Sequence, residues 1–401
     1  GRAADGAASG PAALRAGCWL MFGKFSTWLG GGDESPASPG DDHRFDEQQL
    51  REISLEYEES VLESATHNFS TSRRLGSGNY GAVYRGTLPD GHDVAIKVIE
   101  INEDDDGAHG FADEVRVLSK FRHPNLVTLM GWGIGSTGGD GKSKRFLVYE
   151  LLTGGDVNQR LLQCRGDGGR PFLWTERLWV ALDAACGLAH MHNSTPKAFH
   201  RDIKSPNILL DRSGTAKMAD FGLSGIAKTK ETLNMTCDQV AGTPGYACPH
   251  YIKSGKVTEE SEVYSLGMVM LELLMNSMPA CLGQGGGIIY PIFQVVQPTT
   301  PGALDRAIKA VDLKAAWPPA LARELAQFAL KCSDMRMDVR PNFTEVGRQI
   351  RQMCEQYCQG QRCLPSTDPQ LGAVKAAALA AGPPSHALSY GQGAAAGATP
   401  T

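Results

Sequence analysis

The sequence predicts an α+β fold in which a small β-rich lobe precedes a larger helical one. Two observations carry that expectation. Early in the chain Ala82-Val-Tyr-Arg and Val94-Ala-Ile-Lys-Val-Ile flank a Pro89-Asp90-Gly91 turn, the pattern of a β-hairpin. From Thr175 onward the apolar residues recur instead at helical spacing, at Leu178, Ala181, Leu182, Ala185, Leu188 and Ala189.

Taken in order, residues 1–53 mix Gly, Ala, Ser and Pro with an acidic run, and read as a disordered, acidic linker that cannot bury enough apolar surface to offset ordering. Residues 54–360 form the dense region, with a β-rich part over about 65–150 and a helical part over about 151–356. Thr175 is placed to cap its helix. Val263 to Leu274 is apolar nearly all round, as a buried central helix would be. Leu321 to Cys332 and Phe343 to Met353 read as further amphipathic helices, and residues 361–401 as an Ala/Gly/Pro-rich tail.

Composition excludes several classes of function. Of 401 residues, 47 are Gly and 22 Pro, above the ~12% of average usage, which agrees with linker at both ends. The formal net charge of −5 hides a local excess: residues 31–60 hold ten acidic residues against Arg44 and Arg51. The rest of the chain is close to neutral, so there is no basic footprint for nucleic acid. Ten scattered Cys match neither a secreted disulfide framework nor a paired zinc motif and suit a reducing compartment. The nearest cluster, Cys354, Cys358 and Cys363, reads as a helix end rather than a metal site. No span of roughly 18 apolar residues is present, so no transmembrane segment is expected in this chain. A cytoplasmic location is expected, with room for an upstream receptor or targeting portion because the chain opens on Gly1 rather than Met.

The chemistry lies in five segments. Gly76-Ser-Gly-Asn-Tyr-Gly81 joins two expected strands instead of opening a helix, which removes the dinucleotide-fold reading and leaves glycine backbone able to approach phosphates. Lys97 ends Val94-Ala-Ile-Lys, and alone would be a surface lysine. His200-Arg-Asp-Ile-Lys204-Ser-Pro-Asn207, Asp220-Phe-Gly222 and Gly242-Thr-Pro-Gly-Tyr246 follow. In this order and spacing the five resemble the eukaryotic protein kinase family over about residues 65–355. Ser64-Ala-Thr-His-Asn-Phe-Ser, Gly131-Trp132 and Leu147-Val-Tyr-Glu150 further resemble the Pelle-like, plant receptor-type serine/threonine kinases.

The resemblance implies a bilobal kinase fold and ATP-dependent transfer of a γ-phosphoryl group to Ser/Thr hydroxyls of a protein substrate. Asp202 would accept the hydroxyl proton and Lys204 would neutralise the transferring group. Asn207 and Asp220 would hold Mg²⁺, and Lys97, held by Glu114, would reach the phosphates of ATP. Asp113 stands beside Glu114 as the alternative partner. The nucleotide would lie against Leu75, Gly76, Ser77, Gly78, Asn79, Tyr80, Gly81, Val83 and Ala95 from above and Leu209 from below. Tyr149 is the implied gatekeeper, Glu150 to Leu152 the implied hinge, and Leu118, Phe221 and His200 an apolar spine. Arg201 before Asp202 implies control by activation-loop phosphorylation, through an upstream kinase or self-phosphorylation. Candidate sites are Ser224, Thr229, Thr232 and Thr236, with Thr232 or Thr236 favoured.

Two departures from the family pattern stand out. Where the family has Ala-Pro-Glu, this chain reads Cys248-Pro249-His250, so the implied carboxylate partner of Arg340 is missing. Glu259, Glu260 or a neutral His250 are the candidate replacements. Glu262 takes the place of an Asp that holds the catalytic loop, with one extra methylene to absorb. The competing readings are a pseudokinase scaffold, against which Lys97, Asp202, Asn207 and Asp220 argue together, and a small-molecule phosphotransferase, which would have no use for the long segment ending at Tyr246.

Overall fold

The computed structural model describes residues 47–78, 81–102, 107–136, 142–166, 169–227, 234–237, 240–360 and 362. Two short helices come first, α1 (Glu47–Ile53) and α2 (Glu59–Thr66). Strands β1 (Arg74–Gly78), β2 (Gly81–Thr87) and β3 (Asp93–Asn102) lead to helix α3 (Gly107–Lys120), then β4 (Leu129–Ile134) and β5 (Lys142–Glu150). The five strands make one antiparallel sheet in the order β1-β2-β3-β5-β4. The expected hairpin is present, with Gly91 at φ 86° in its turn.

Because strand side chains alternate faces, β3 sorts its own residues. Val94, Ile96 and Val98 are buried on one face with Leu62, Phe146 and Val148. Ala95 and Lys97 emerge on the other, opposite Arg85 and Val83 of β2. A one-residue slip would exchange the two sets, so burial of the valine face fixes where Lys97 points. At the tip of β1 and β2, Gly78 pairs with Gly81. Gly81 has φ 120°, and a Cβ there would lie 1.8 Å from the Val98 carbonyl oxygen, so only glycine fits.

Helix α1 lies inside the stretch that composition assigns to linker. Its single buried residue, Leu50, joins the main apolar core, and this one contact supplies what a composition average over 53 residues conceals. Residues 47–53, which composition places in the linker, are therefore helical and joined to the core.

The helical lobe contains α4 (Val157–Gln163), α5 (Trp174–Asn193), α6 (Pro249–Ser254), α7 (Glu259–Met275), α8 (Pro291–Val296), α9 (Ala303–Lys309), α10 (Pro319–Cys332) and α11 (Phe343–Cys358). Short strand pairs are set among them: β6 (Ala198–Phe199) with β9 (Gly225–Ile226), β7 (Ile208–Leu210) with β8 (Ala216–Met218), and β10 (Asn234–Thr236) with β11 (Lys256–Thr258). Helix α5 begins two residues earlier than expected. Leu173 is its N-cap and donates its backbone N–H to Glu176, while Thr175 sits inside the first turn. Helix α7 is central, with Val263, Leu266, Met270 and Leu274 buried, and is capped by Thr258, whose hydroxyl accepts from the Ser261 amide. Cys354 and Cys358 are buried on α11, and Cys363 lies outside the described residues. Among the described residues no helix is long and apolar enough to cross a membrane.

One apolar cluster runs through both lobes, from Phe111, Val115 and Leu118 of α3 to α5 and α7. Leu118, His200 and Phe221 are all buried within this contact region, and the rings of His200 and Phe221 stand 4.7 Å apart. The cleft between the lobes is therefore built on a continuous core.

Candidate active site

Lys97 reaches the cleft from β3 and meets two carboxylates. Its Nζ donates to Glu114 Oε2 at 3.1 Å and to Asp220 Oδ1 at 2.9 Å. Burial alone would push the lysine pKa down, but the charges of Asp220 and Glu114 outweigh it and hold the ammonium above its ordinary range. Burial likewise opposes ionisation of Asp220, and Lys97 and Lys204 overcome it, so this carboxylate titrates below its usual value. Asp113, the other candidate for Lys97, faces away and pairs with Arg116. Glu114 is fully engaged: its second oxygen accepts from the Tyr149 hydroxyl at 2.5 Å and from the Phe221 amide at 3.2 Å. Burial, then the Glu114 charge, raise the Tyr149 pKa well above normal, so the phenol stays a donor. Tyr149 at the back of the cleft thereby ties β5 to α3.

Below this cluster lies a second. Asp202 is buried, with Lys204 Nζ 2.6 Å from its Oδ2 and the Thr243 hydroxyl donating to its Oδ1 at 2.7 Å. Lys204 also donates to the Thr243 oxygen at 3.0 Å. Asn207 gives its amide N–H to the Asp202 carbonyl and carboxylate, at 2.9 and 3.1 Å. The loop is held from beneath by His200, whose Nδ1 accepts from the Asp202 amide at 3.4 Å while Nε2 faces the Ala219 carbonyl at 3.1 Å. Arg201 and Asp220 have φ of 69° and 62°, unfavourable for residues with a Cβ, so the surroundings hold the backbone where both carboxylates meet the cleft.

Glu262 shows how the longer side chain is accommodated. One oxygen accepts from the Arg201 amide at 2.5 Å and the other is 2.6 Å from His192 Nε2, which donates to it. The Arg201 guanidinium donates to the Leu223 carbonyl at 3.0 Å and the Tyr251 hydroxyl at 3.4 Å.

The residues expected on the nucleotide side are placed as follows where they are described. Leu75 is exposed at the mouth, Val83, Ala95, Leu152 and Leu209 are half-buried, and Glu150 is bound to Lys217 at 2.7 Å and to the Thr128 amide at 2.8 Å. Gly76, Ser77, Gly78 and Gly81 form the β1–β2 end, while Asn79 and Tyr80 lie outside the described residues. The donor set suits Mg²⁺, which takes hard oxygen ligands. Asn207 uses its nitrogen on Asp202 and so leaves its amide oxygen, and Asp220 uses one oxygen on Lys97 and leaves the other.

Three features escape sequence reasoning. Ser224, a candidate for phosphorylation, is buried and donates to the His200 carbonyl, so it is not available; Thr236 is exposed, and Thr229 and Thr232 lie outside the described residues. Arg340 is not met by Glu259, Glu260 side chain or His250. It donates to the Asp334 carbonyl at 2.8 Å, the Glu260 carbonyl at 2.9 Å and Cys248 Sγ at 3.1 Å, and lies 5.0 Å from the Tyr264 ring centre. His250 is exposed and Glu259 pairs with Lys197. Backbone carbonyls, a thiol and a ring face take up part of what the missing carboxylate would have done, and the guanidinium's Nη2 is buried without a hydrogen-bond partner among the described residues. Finally, Glu272 is buried on α7, accepting from Ser205 at 2.9 Å and Tyr246 at 2.7 Å, and burial pushes its pKa up to about 7. The one charged residue within the apolar run Val263–Leu274 is the signal that points to it.

Fold and cleft together define a two-lobed protein with a lysine–carboxylate cluster above and an aspartate–lysine–asparagine cluster below, the layout of a phosphoryl-transfer site. The family model described as protein kinase domain matches residues 69–350. The chain belongs to the protein kinase family. Curated relatives include, from Arabidopsis thaliana, wall-associated receptor kinase-like 14, 36% identical over 296 residues, covering 73% of this chain and 40% of the relative. Proline-rich receptor-like protein kinase PERK7 is 38% identical over 264 residues, 66% of this chain and 36% of that protein. Probable LRR receptor-like serine/threonine-protein kinase RKF3 is 34% identical over 313 residues, 78% and 49% respectively. The chain spans less than half the length of these relatives. Their names agree with the receptor-type resemblance drawn from the sequence.

Proposed function

We propose that the chain is an ATP-dependent protein serine/threonine kinase, and the observation that carries this is the joint presence of both clusters in one cleft. Asp202 is held by Lys204, Thr243 and Asn207 with its carboxylate ready to accept a proton from a substrate hydroxyl. Lys204 offsets charge on the group being transferred. Lys97, kept charged by Glu114 and Asp220, orients the phosphates of ATP. Asn207 and Asp220 would hold Mg²⁺, which supplies charge neutralisation between the phosphates when bound. The contact of Thr243 with both Asp202 and Lys204 suits a Ser/Thr acceptor arriving beside it.

Control by activation-loop phosphorylation belongs to the same reading. A dianionic phosphate on Thr232 or Thr236 would pair with Arg201, whose guanidinium lies at the cleft floor against the Leu223 carbonyl and the Tyr251 hydroxyl. The phosphate arrives from an upstream kinase or from a second copy of the chain. Ten scattered cysteines that match no secreted disulfide framework fit a reducing, cytoplasmic setting, and the receptor-like relatives make attachment to a membrane through residues outside this chain part of the proposal.

A radiolabelled-ATP transfer assay on the full chain beside Asp202→Asn tests the chemistry. Incorporation into Ser and Thr of a protein substrate by the first and not the second is expected. Equal incorporation by both sinks the mechanism, and label on Tyr alone sinks the acceptor class. Mass spectrometry that finds a fully active chain unmodified at Thr232 and Thr236 removes the control step.

A further inference from the structure

We propose that residues 47–57, which precede the kinase-family match, are a positioning element for the Lys97–Glu114 pair, acting through Leu50 and Trp132. The proposal rests on the phosphotransfer reading above and adds a segment to it.

Glu114 is useful only while α3 presents it to Lys97, so whatever seats α3 governs the upper half of the cleft. Leu50 of α1 is fully buried in the cluster that contains Phe111 and Val115 of α3 and Trp132 of β4, and α1 packs on α3. After α1 the chain turns, with Arg51 Nε 2.5 Å from Glu56 Oε2 across the bend, and runs along β4 as a short parallel addition to the sheet edge. The Trp132 amide donates to the Leu55 carbonyl at 2.9 Å, and the Tyr57 amide donates to the Trp132 carbonyl at 2.7 Å. Both backbone groups of Trp132 are thus held by the segment. Its ring meets Phe111 edge-on at 6.2 Å, three residues before Glu114 on α3.

Gly131 and Gly133 make this approach feasible. A Cβ on Gly131 would stand 2.4 Å from the Leu55 carbonyl oxygen, and one on Gly133 would stand 2.6 Å from that of Tyr57. Beyond the bridge, Glu59 accepts from the Ser136 amide at 2.9 Å and hydroxyl at 2.8 Å, pinning the segment again past the end of β4. Because Leu50 is the one buried side chain of α1, the element is a low-stability unit on a stable domain, and releasing it should loosen α3 without unfolding the helical lobe.

The test uses the full chain with Leu50→Asp, Gly131→Ala and Leu50→Met. Steady-state transfer from ATP to a Ser/Thr peptide is measured together with hydrogen exchange. Leu50→Asp and Gly131→Ala should each lower kcat by about tenfold or more, leave peptide KM within about twofold, and speed exchange over residues 107–120 but not 259–275. Leu50→Met should behave as the parent. Parent-like kcat with unchanged exchange at 107–120 overturns the proposal, as does a kcat loss that only follows the folded fraction. Should Leu50→Asp fail to fold, Gly131→Ala carries the same two readouts. A parent chain that transfers no phosphate defeats the phosphotransfer reading instead. Exchange at 107–120 then decides the docking by itself: faster exchange in Gly131→Ala sustains it, and unchanged exchange overturns it.

Discussion

The catalytic cleft and the anchor around Arg340 are both buried polar clusters, yet they settle their charges in different ways. In the cleft each cation faces carboxylates, Lys97 against Glu114 and Asp220 and Lys204 against Asp202. At the anchor a buried guanidinium is met by two carbonyls, a thiol and an aromatic face, with no carboxylate. The difference is one of task. Transfer of a phosphoryl group needs charge at particular atoms, so only particular side chains serve. An anchor needs most of its donors met, and many acceptors can do that, although here one guanidinium nitrogen, Nη2, is left buried without a partner among the described residues.

If that contrast holds, the largest effects should come from the cleft. Asp202→Asn should lower kcat about 10³-fold or more while the domain stays folded, since it removes the proton acceptor while keeping volume. A loss below about tenfold would mean that Asp202 is not the base. Next in size, Arg340→Met should cost about 3–4 kcal/mol, because it strips the Asp334 and Glu260 carbonyls of their donor, and the thermal midpoint should fall by roughly 6–14 °C. A neutral result would show that the anchor is held by apolar packing alone.

Between these two regions lies Glu272, a carboxyl buried under Tyr246 and Ser205 beside the catalytic loop. Its pKa of about 7 in the folded chain exceeds the ordinary carboxylate value, as does that of Asp156, also pushed up to about 7 by burial. A raised carboxyl pKa means that the folded state binds the extra proton between about pH 4.5 and 7. The stabilisation is full below that window and is lost as pH rises through about 7. Chemical denaturation across pH 5–8 should therefore show stability falling by about 2–3 kcal/mol on account of Glu272. Glu272→Gln should flatten that slope, and an unaltered slope would place the titration elsewhere.

The smallest effect sharpens the anchor. His250 is exposed in the first turn of α6, so His250→Glu should add a favourable charge at a helix N-terminus and raise the midpoint by about 1–3 °C. A clear drop would show that the Cys248–Arg340 arrangement excludes the carboxylate it replaces.

Much of the cleft was legible because phosphoryl transfer demands residue types at set spacings. Lys97, Asp202, Lys204, Asn207 and Asp220 fall where the motifs place them, and the alternation of β3 orients Lys97 by burial of its neighbours. Glu114 was separable from Asp113 only by helix phase, which the contact with Lys97 resolves. Helix α1 falls inside the stretch read as linker because one leucine, Leu50, seats it on the core, and a compositional average does not register one residue. Thr175 was taken for a cap because its hydroxyl fits that role, whereas Glu176 reaches back to the Leu173 amide.

By itself the sequence determined the two-lobed α+β class, the order of the chemical segments and the identity of the charged groups that meet in the cleft. Those are local or spacing-dependent properties, written in motif and period. The tertiary structure decided which groups replace a missing partner. Cys248 and two carbonyls took up part of the role assigned to Glu259, Glu260 or His250, His192 joined Glu262, and Leu50 joined the core shared by α3 and Trp132. Each of these joins residues far apart in the chain, and backbone carbonyls carry no side-chain signature. Such contacts exist only once packing has brought the acceptor to the donor.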